Sequence, residues 1–230
     1  KKMPVARIQI EKQGALSYLS HLDYVEALQR ALRRSGLPAA YSLGFNPHMK
    51  VAFGAALAVG VTSEGEWADI ELTQCVDAAE FTNTLNLSLP IGMKIKDALI
   101  YEEKPKAISN MIEWASYLAE WDAPEDQIPK LEEILDQLKK EEEILIEVVS
   151  PKKTKIMDLK KELLYTKLIY DEAQGIQLYF DLRLTPLGSL KPNFFLEYLE
   201  KKGFLTFSDA KIIRTGLWRD SKENKKNPIE

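Results

Sequence analysis

His21 and His48 are the only imidazoles in this sequence of 230 residues, and both fall within its first fifty positions. Imidazole changes charge near neutral pH, so these two are the first candidates for acid–base chemistry or for specific hydrogen bonding. His21 sits in Leu19-Ser20-His21-Leu22-Asp23, at the predicted start of a helix, where free backbone N–H groups favour an anion. His48 closes the stretch Tyr41-Ser42-Leu43-Gly44-Phe45-Asn46-Pro47-His48, whose Gly, Asn and Pro residues predict a turn. Arg33, Arg34 and Lys50 supply cations nearby in sequence. Ser20, His21, Asp23, Arg33, Arg34, Tyr41, Asn46, His48 and Lys50 therefore form a candidate set for an anionic ligand. Whether His21 or His48 acts catalytically, binds a ligand or is a capping or turn residue stays open. A second basic group, Lys152, Lys153, Lys155, Lys160, Lys161 and Lys167, suits phosphate contact, with a solvated loop as the alternative.

The charge pattern gives these cations context. The formal net charge is −4, yet residues 1–60 carry +5, 61–103 carry −7, 104–150 carry −7 and 151–230 carry +5. A basic beginning and a basic end flank an acidic middle. If the two basic segments meet, they form a polyanion site that the net charge conceals. The run Glu141-Glu142-Glu143 reads as a solvated helix end rather than a metal site.

Several chemistries are set aside. One cysteine, Cys75, cannot make an internal disulfide, and with two histidines it cannot complete a soft four-ligand metal site. No metal and no cofactor are expected. Phosphate-loop, GxGxxG, HExxH and GxSxG patterns are missing from the sequence. No apolar run reaches the roughly 18 residues of a membrane span, and no apolar segment follows Lys1-Lys2-Met3-Pro4. A cytoplasmic protein is the expectation.

Two halves of similar element order are predicted to position the candidates. Alternation over 5–12 predicts a strand. Leu22, Val25, Leu28 and Leu32 predict a helix over 20–35, stopped by Gly36 and Pro38. Tyr41–Leu43 begins a second strand that the turn interrupts, and Val51–Ala58 is apolar. A strand through 66–72, a helix over 77–89 capped by Asp77, and a strand over 93–101 complete a β-α-β-β-α-β order. The order returns in a strand over 111–121, a helix over 126–140, strands over 144–149 and 176–184, a helix over 191–202 and a strand over 210–218. The expected fold class is α+β, as tandem ferredoxin-like halves with antiparallel sheets. The expected boundaries are 1–103, a linker at 104–110, and 111–220 with a basic insertion at 151–170; a disordered tail follows at 221–230.

The motifs LSHLD, ALRRSGLP, YSLGFNPHMKVAFG and VGVTSEGEWADIEL resemble the bacterial radical-SAM-linked protein family, a domain of unknown function, across nearly the whole chain. Its signature falls here on Ser20, His21, Asp23, Arg33, Tyr41, Gly44, Asn46, Pro47, His48 and Lys50. The resemblance implies a partner, a radical S-adenosylmethionine protein with a cobalamin-binding-like region, encoded beside such domains or fused to them. It establishes no reaction. The expected function is an RNA-binding accessory module that presents tRNA or rRNA to that enzyme, with no membrane and no DNA partner. The first alternative is a docking module for the enzyme without RNA contact. The second is a metal-independent endoribonuclease using His21, by analogy with the CRISPR repeat-RNA endoribonucleases, to which the tandem element order is similar.

Overall fold

The computed structural model describes residues 3–150, 153–185, 189–219 and 225–228. The chain is mixed α+β with mostly antiparallel strands, and its described residues divide into two compact units. The first holds 3–112 with 216–219 and 225–228; the second holds 113–215.

In the first unit, β1 (Val5–Lys12) places Ala6, Ile8 and Ile10 on one buried face. The helix α1 (His21–Ser35) lies on that face through Tyr24, Leu28 and Leu32. Ser20 caps it by accepting from the Asp23 N–H, and Gly36 ends it at φ 71°, the left-handed region that glycine enters without strain. After β2 (Val51–Phe53) come β3 (Val61–Glu71), α2 (Ala78–Asn86) and β4 (Met93–Tyr101). The strands lie in the order β4-β1-β3, with β2 on β3, and each of these pairs is antiparallel. Ile70, Phe81, Leu85 and Ile95 close the same core.

The other face of this sheet is covered by the chain after β4. Arg7 is buried and donates to both Asp69 carboxylate oxygens at 2.7 and 2.9 Å and to the Lys106 carbonyl at 2.7 Å. Burial alone would lower the Arg7 pKa, but the bond and charge of Asp69 outweigh it and raise the value. The Ile108 N–H donates to Asp69 at 3.1 Å, and Ile108 and Ile112 are buried. A Cβ at Gly54 would press on Ile112 Cδ1 and stand 3.3 Å from Ile108 Cγ1, so the missing side chain gives the strap room to lie close. Residues 104–110, expected as a linker, are thus packed structure within the first unit.

In the second unit, β5 (Trp114–Trp121) is followed by α3 (Ile128–Lys140), the hairpin β6 (Leu145–Ser150) and β7 (Lys153–Asp158), and the short α4 (Leu159–Glu162). Then come β8 (Leu163–Asp171), β9 (Gly175–Arg183), α5 (Pro192–Lys201) and β10 (Lys211–Trp218), whose last three residues are counted with the first unit. The main sheet runs β10-β5-β9-β8, and β6 pairs with β7 in a separate two-stranded sheet. Tyr117 stacks on Phe180 at 5.4 Å and Phe180 meets Phe195 edge-on at 5.0 Å, joining the sheet to α5.

The second strand of the first half is only Val51–Phe53, because the turn chemistry continues to Pro47 and only isolated bridges flank it. The strand beside β9 is not 144–149 but β8, inside the segment read as an insertion. The run Leu163-Leu164-Tyr165-Thr166 through Tyr170 is β-forming, and the neighbouring lysines masked that signal. Of the tail read as disordered, Lys226 exchanges two backbone hydrogen bonds with Arg219; residues 221–224 and 229–230 lie outside the described residues.

Candidate nucleic-acid interface

The first candidate group is built on the start of α1. Ser20 Oγ donates to Asp23 Oδ2 at 2.6 Å and accepts from the Asp23 N–H at 3.2 Å, so both side chains are occupied in capping. His21 is half-buried, its ring edge-on to Phe53 with centroids 5.6 Å apart. Beneath it lies a group that the sequence reading missed. Phe53 meets Tyr24 at 5.5 Å, and the buried Lys12 ammonium lies 5.4 Å from the Tyr24 ring. Lys12 Nζ donates to the Ser17 and Leu19 carbonyls at 3.3 and 3.0 Å, fixing the turn that leads into Ser20. Burial pushes the Tyr24 phenol well above its ordinary pKa, and the negative charges of Glu66 and Glu11 push the same way. Glu66 is buried as well, on β3 opposite Ile10. The signal was present: Lys12 and Glu66 each continue the apolar phase of an alternating strand.

The second group is a closed loop between Tyr41 and Met49, which form an isolated bridge. The Ser42 N–H donates to the His48 carbonyl at 2.8 Å and the His48 N–H donates to Ser42 Oγ at 3.0 Å. Ser42 Oγ and His48 Nδ1 also lie 2.8 Å apart. These contacts fix the neck and leave the tip in solvent. Leu43 is 100% exposed and Phe45 105%, with Asn46 and His48 exposed beside them and Tyr41 at 44%. Gly44, at φ 126°, lets the chain reverse between the two apolar residues. Phe45 was not singled out from the sequence, although a large aromatic inside a Gly/Asn/Pro turn has no strand or helix to bury it.

The contact between Gln29 Nε2 and the Met49 carbonyl at 3.3 Å ties this neck to α1. Gln29 lies eight residues, or about 12 Å along the axis, from His21. Arg33 is one turn further on the same face of α1 and is exposed. The neck of the His48 loop thus meets α1 at Gln29, one turn before Arg33 and about two turns from His21. Arg34 donates to the Ser88 carbonyl at 2.7 Å, towards α2. Lys50 is held by Glu71 at 2.8 Å, and Lys104 binds the other Glu71 oxygen at 2.5 Å. Hydrogen bonds from Lys104 and then Lys50 lower the Glu71 pKa.

The lysines of 151–170 also divide. Lys160 Nζ donates to the Leu138 and Lys139 carbonyls at 2.9 and 3.2 Å, capping the C-terminal end of α3. Lys161 pairs with Asp158 at 3.3 Å while its side chain stays 72% exposed. Lys155 is half-buried on β7 and Lys167 is exposed on β8. Lys152 lies outside the described residues, and Lys153 is described only as the first position of β7.

Among the described residues, no group of three or more His, Cys, Asp or Glu is placed to hold a metal ion, and no helix is long and apolar enough to cross a membrane. No curated protein matches the chain. Among solved structures, it is similar to a chain in the crystal structure of a Cbf5-Nop10-Gar1 complex, at 13% identity and a TM-score of 0.47. That alignment covers 92% of this chain and 48% of the other, so the chain spans about half the length of the structure it matches. A family model described as "Uncharacterized protein conserved in bacteria (DUF2344)" matches residues 6–192, which take in the first candidate groups and most of the second unit, and the chain belongs to that family.

Proposed function

We propose that the chain is an RNA-binding accessory module, built as two ferredoxin-like halves, that presents an RNA to a radical SAM modification enzyme. The neighbour orders β4-β1-β3, with β2 outside β3, and β10-β5-β9-β8 support the two-half reading. One observation carries the RNA reading: the Ser42–His48 neck holds a fully exposed aromatic ring with an exposed amide and imidazole close in the chain, and the neck is tied to α1 one turn before the exposed Arg33. An unpaired base stacks on a ring such as Phe45, Asn46 and His48 can bond its edges, and Arg33 meets a phosphate. The RNA and the enzyme partner rest on this chemistry and on the resemblance of the motifs.

Fluorescence anisotropy with labelled single-stranded and hairpin RNA tests the reading. Phe45→Ala should weaken binding by about 1–3 kcal/mol, the usual worth of one stacked base, with the melting temperature unchanged. A Phe45→Trp chain that still binds would support stacking further. Binding unaffected by Phe45→Ala would refute the site.

The exposure of Leu43 beside Phe45 favours a second reading, in which the loop docks into an apolar pocket of the enzyme partner without RNA. Retention of the partner by the intact chain, lost in Phe45→Ala and insensitive to ribonuclease, would select it. The nuclease alternative would rest on His21 alone, since His48 belongs to the other group.

A further inference from the structure

A cleft of about 390 Å³ in the second unit lies between the chain entering β6 and one side of α5. Phe194, Tyr198 and Ile144 give it an apolar floor, and Glu141, Glu143, Glu147 and Glu197 stand around it. Its two cations are Lys201 and Lys202, and Lys202 is drawn over the Tyr198 ring at 5.5 Å. The lining is therefore acidic on balance. Its volume falls in the range of specific ligand clefts, roughly 300–1,000 Å³.

Leu145, Ile146 and Glu147 all line the cleft, so both alternation phases of β6 reach it. An edge of a strand presents both phases; a sheet face presents one. β6 is bonded to β7 and, among the described residues, to no other strand, so its second edge is open on the cleft side. The ribbon also leaves Leu145, Val149 and Ile156 about 60% exposed. A two-stranded ribbon is marginal in water by itself, and a third strand would satisfy its free backbone groups.

From the open edge, the apolar floor and the surplus of carboxylates, we infer that this cleft takes an extended basic peptide of a partner protein, added as a strand to β6. Main-chain bonds to β6 supply the register, and Lys or Arg side chains of the peptide meet Glu143, Glu147 and Glu197. Nucleic acid is disfavoured, because the same carboxylates repel phosphate. This site is independent of the loop assigned to RNA.

The test uses the full chain and a short labelled peptide alternating lysine and valine, at about 150 mM salt. The expected result is saturable binding that weakens at least roughly tenfold in a Glu143→Lys/Glu147→Lys chain. Glu64→Lys/Glu132→Lys, with the same net charge change at exposed positions that do not line the cleft, should shift binding by less than about twofold. A peptide N-methylated at alternate amides should lose binding to the unmodified chain, a readout that needs no variant. Equal binding of a glutamate–valine peptide, equal loss in both variants, or full binding of the N-methylated peptide would overturn the inference. So would an oligouridine that competes for the cleft, or a dimer in solution that Leu145→Asp disperses.

Discussion

Glu71 shows how single residues decide what the neighbouring cations are free to do. Its carboxylate accepts from Lys50 and Lys104, so Lys50 is committed to the sheet and only partly available to a ligand. The Glu71 pKa is lowered in the folded chain by Lys104 and then Lys50. Its contribution to stability is therefore present above the ordinary carboxylate range and is lost as pH falls through the depressed value. Because the lysines are 38% and 65% exposed, solvent screens much of the attraction. Glu71→Gln should lose about 0.5–1 kcal/mol at pH 7, with the gap to the parent chain closing in acid. Urea titrations at pH 7 and in acid check this; a gap that widens in acid contradicts it. Ser42 makes the comparable decision for His48. Ser42→Ala removes both side-chain contacts at the neck, and RNA affinity should fall by about 1 kcal/mol with the Phe45 side chain intact.

At the scale of elements, α1 is held at both ends by local chemistry that sequence spacing makes readable: Ser20 at its start and Gly36 at its end. Ser20→Ala should cost about 1 kcal/mol by thermal melting. The support underneath was less readable. Lys12 continues the apolar phase of β1, which marks it as inward-facing, but only the fold brings the Ser17 and Leu19 carbonyls onto it. Lys12→Met keeps the volume and takes the ammonium donor from the Leu19 carbonyl, while the Ser17 carbonyl keeps the Gly60 N–H at 2.9 Å, at a cost of about 1–3 kcal/mol. A shift of the urea midpoint without a change in slope is the expected signature; a neutral outcome would remove Lys12 as the prop under the LSHLD turn. The same limit explains the second unit. Alternation revealed β9, but it could not say whether 144–149 or 163–171 lay beside it, because strand partnership is settled by long-range register and not by local pattern. The Arg7–Asp69 pair under the 104–112 strap was hidden for the same reason, its partners being 62 residues apart.

For the whole molecule, the charge blocks matter more than the net charge of −4. The sequence showed where cations concentrate, but only the fold shows which are already used. Lys50, Lys160 and Arg34 are bonded within the chain, Lys161 pairs with Asp158 but stays exposed, and Arg33 and Lys167 keep exposed side chains. Each cation that neutralises a phosphate of single-stranded RNA steepens the fall of log affinity with log salt by about 0.7. Arg33→Ala should therefore flatten the slope by about 0.7 while leaving preference between RNAs nearly unchanged, because phosphate contacts carry no base information. Lys160→Ala should leave the slope alone and instead lower the melting temperature, since its ammonium caps α3. Lys161→Ala/Lys167→Ala separates two extents of RNA contact. A further flattening of about 1.4 assigns phosphates to the second unit as well. An unchanged slope confines the RNA to the first unit, and the basic end of the chain then has some other role.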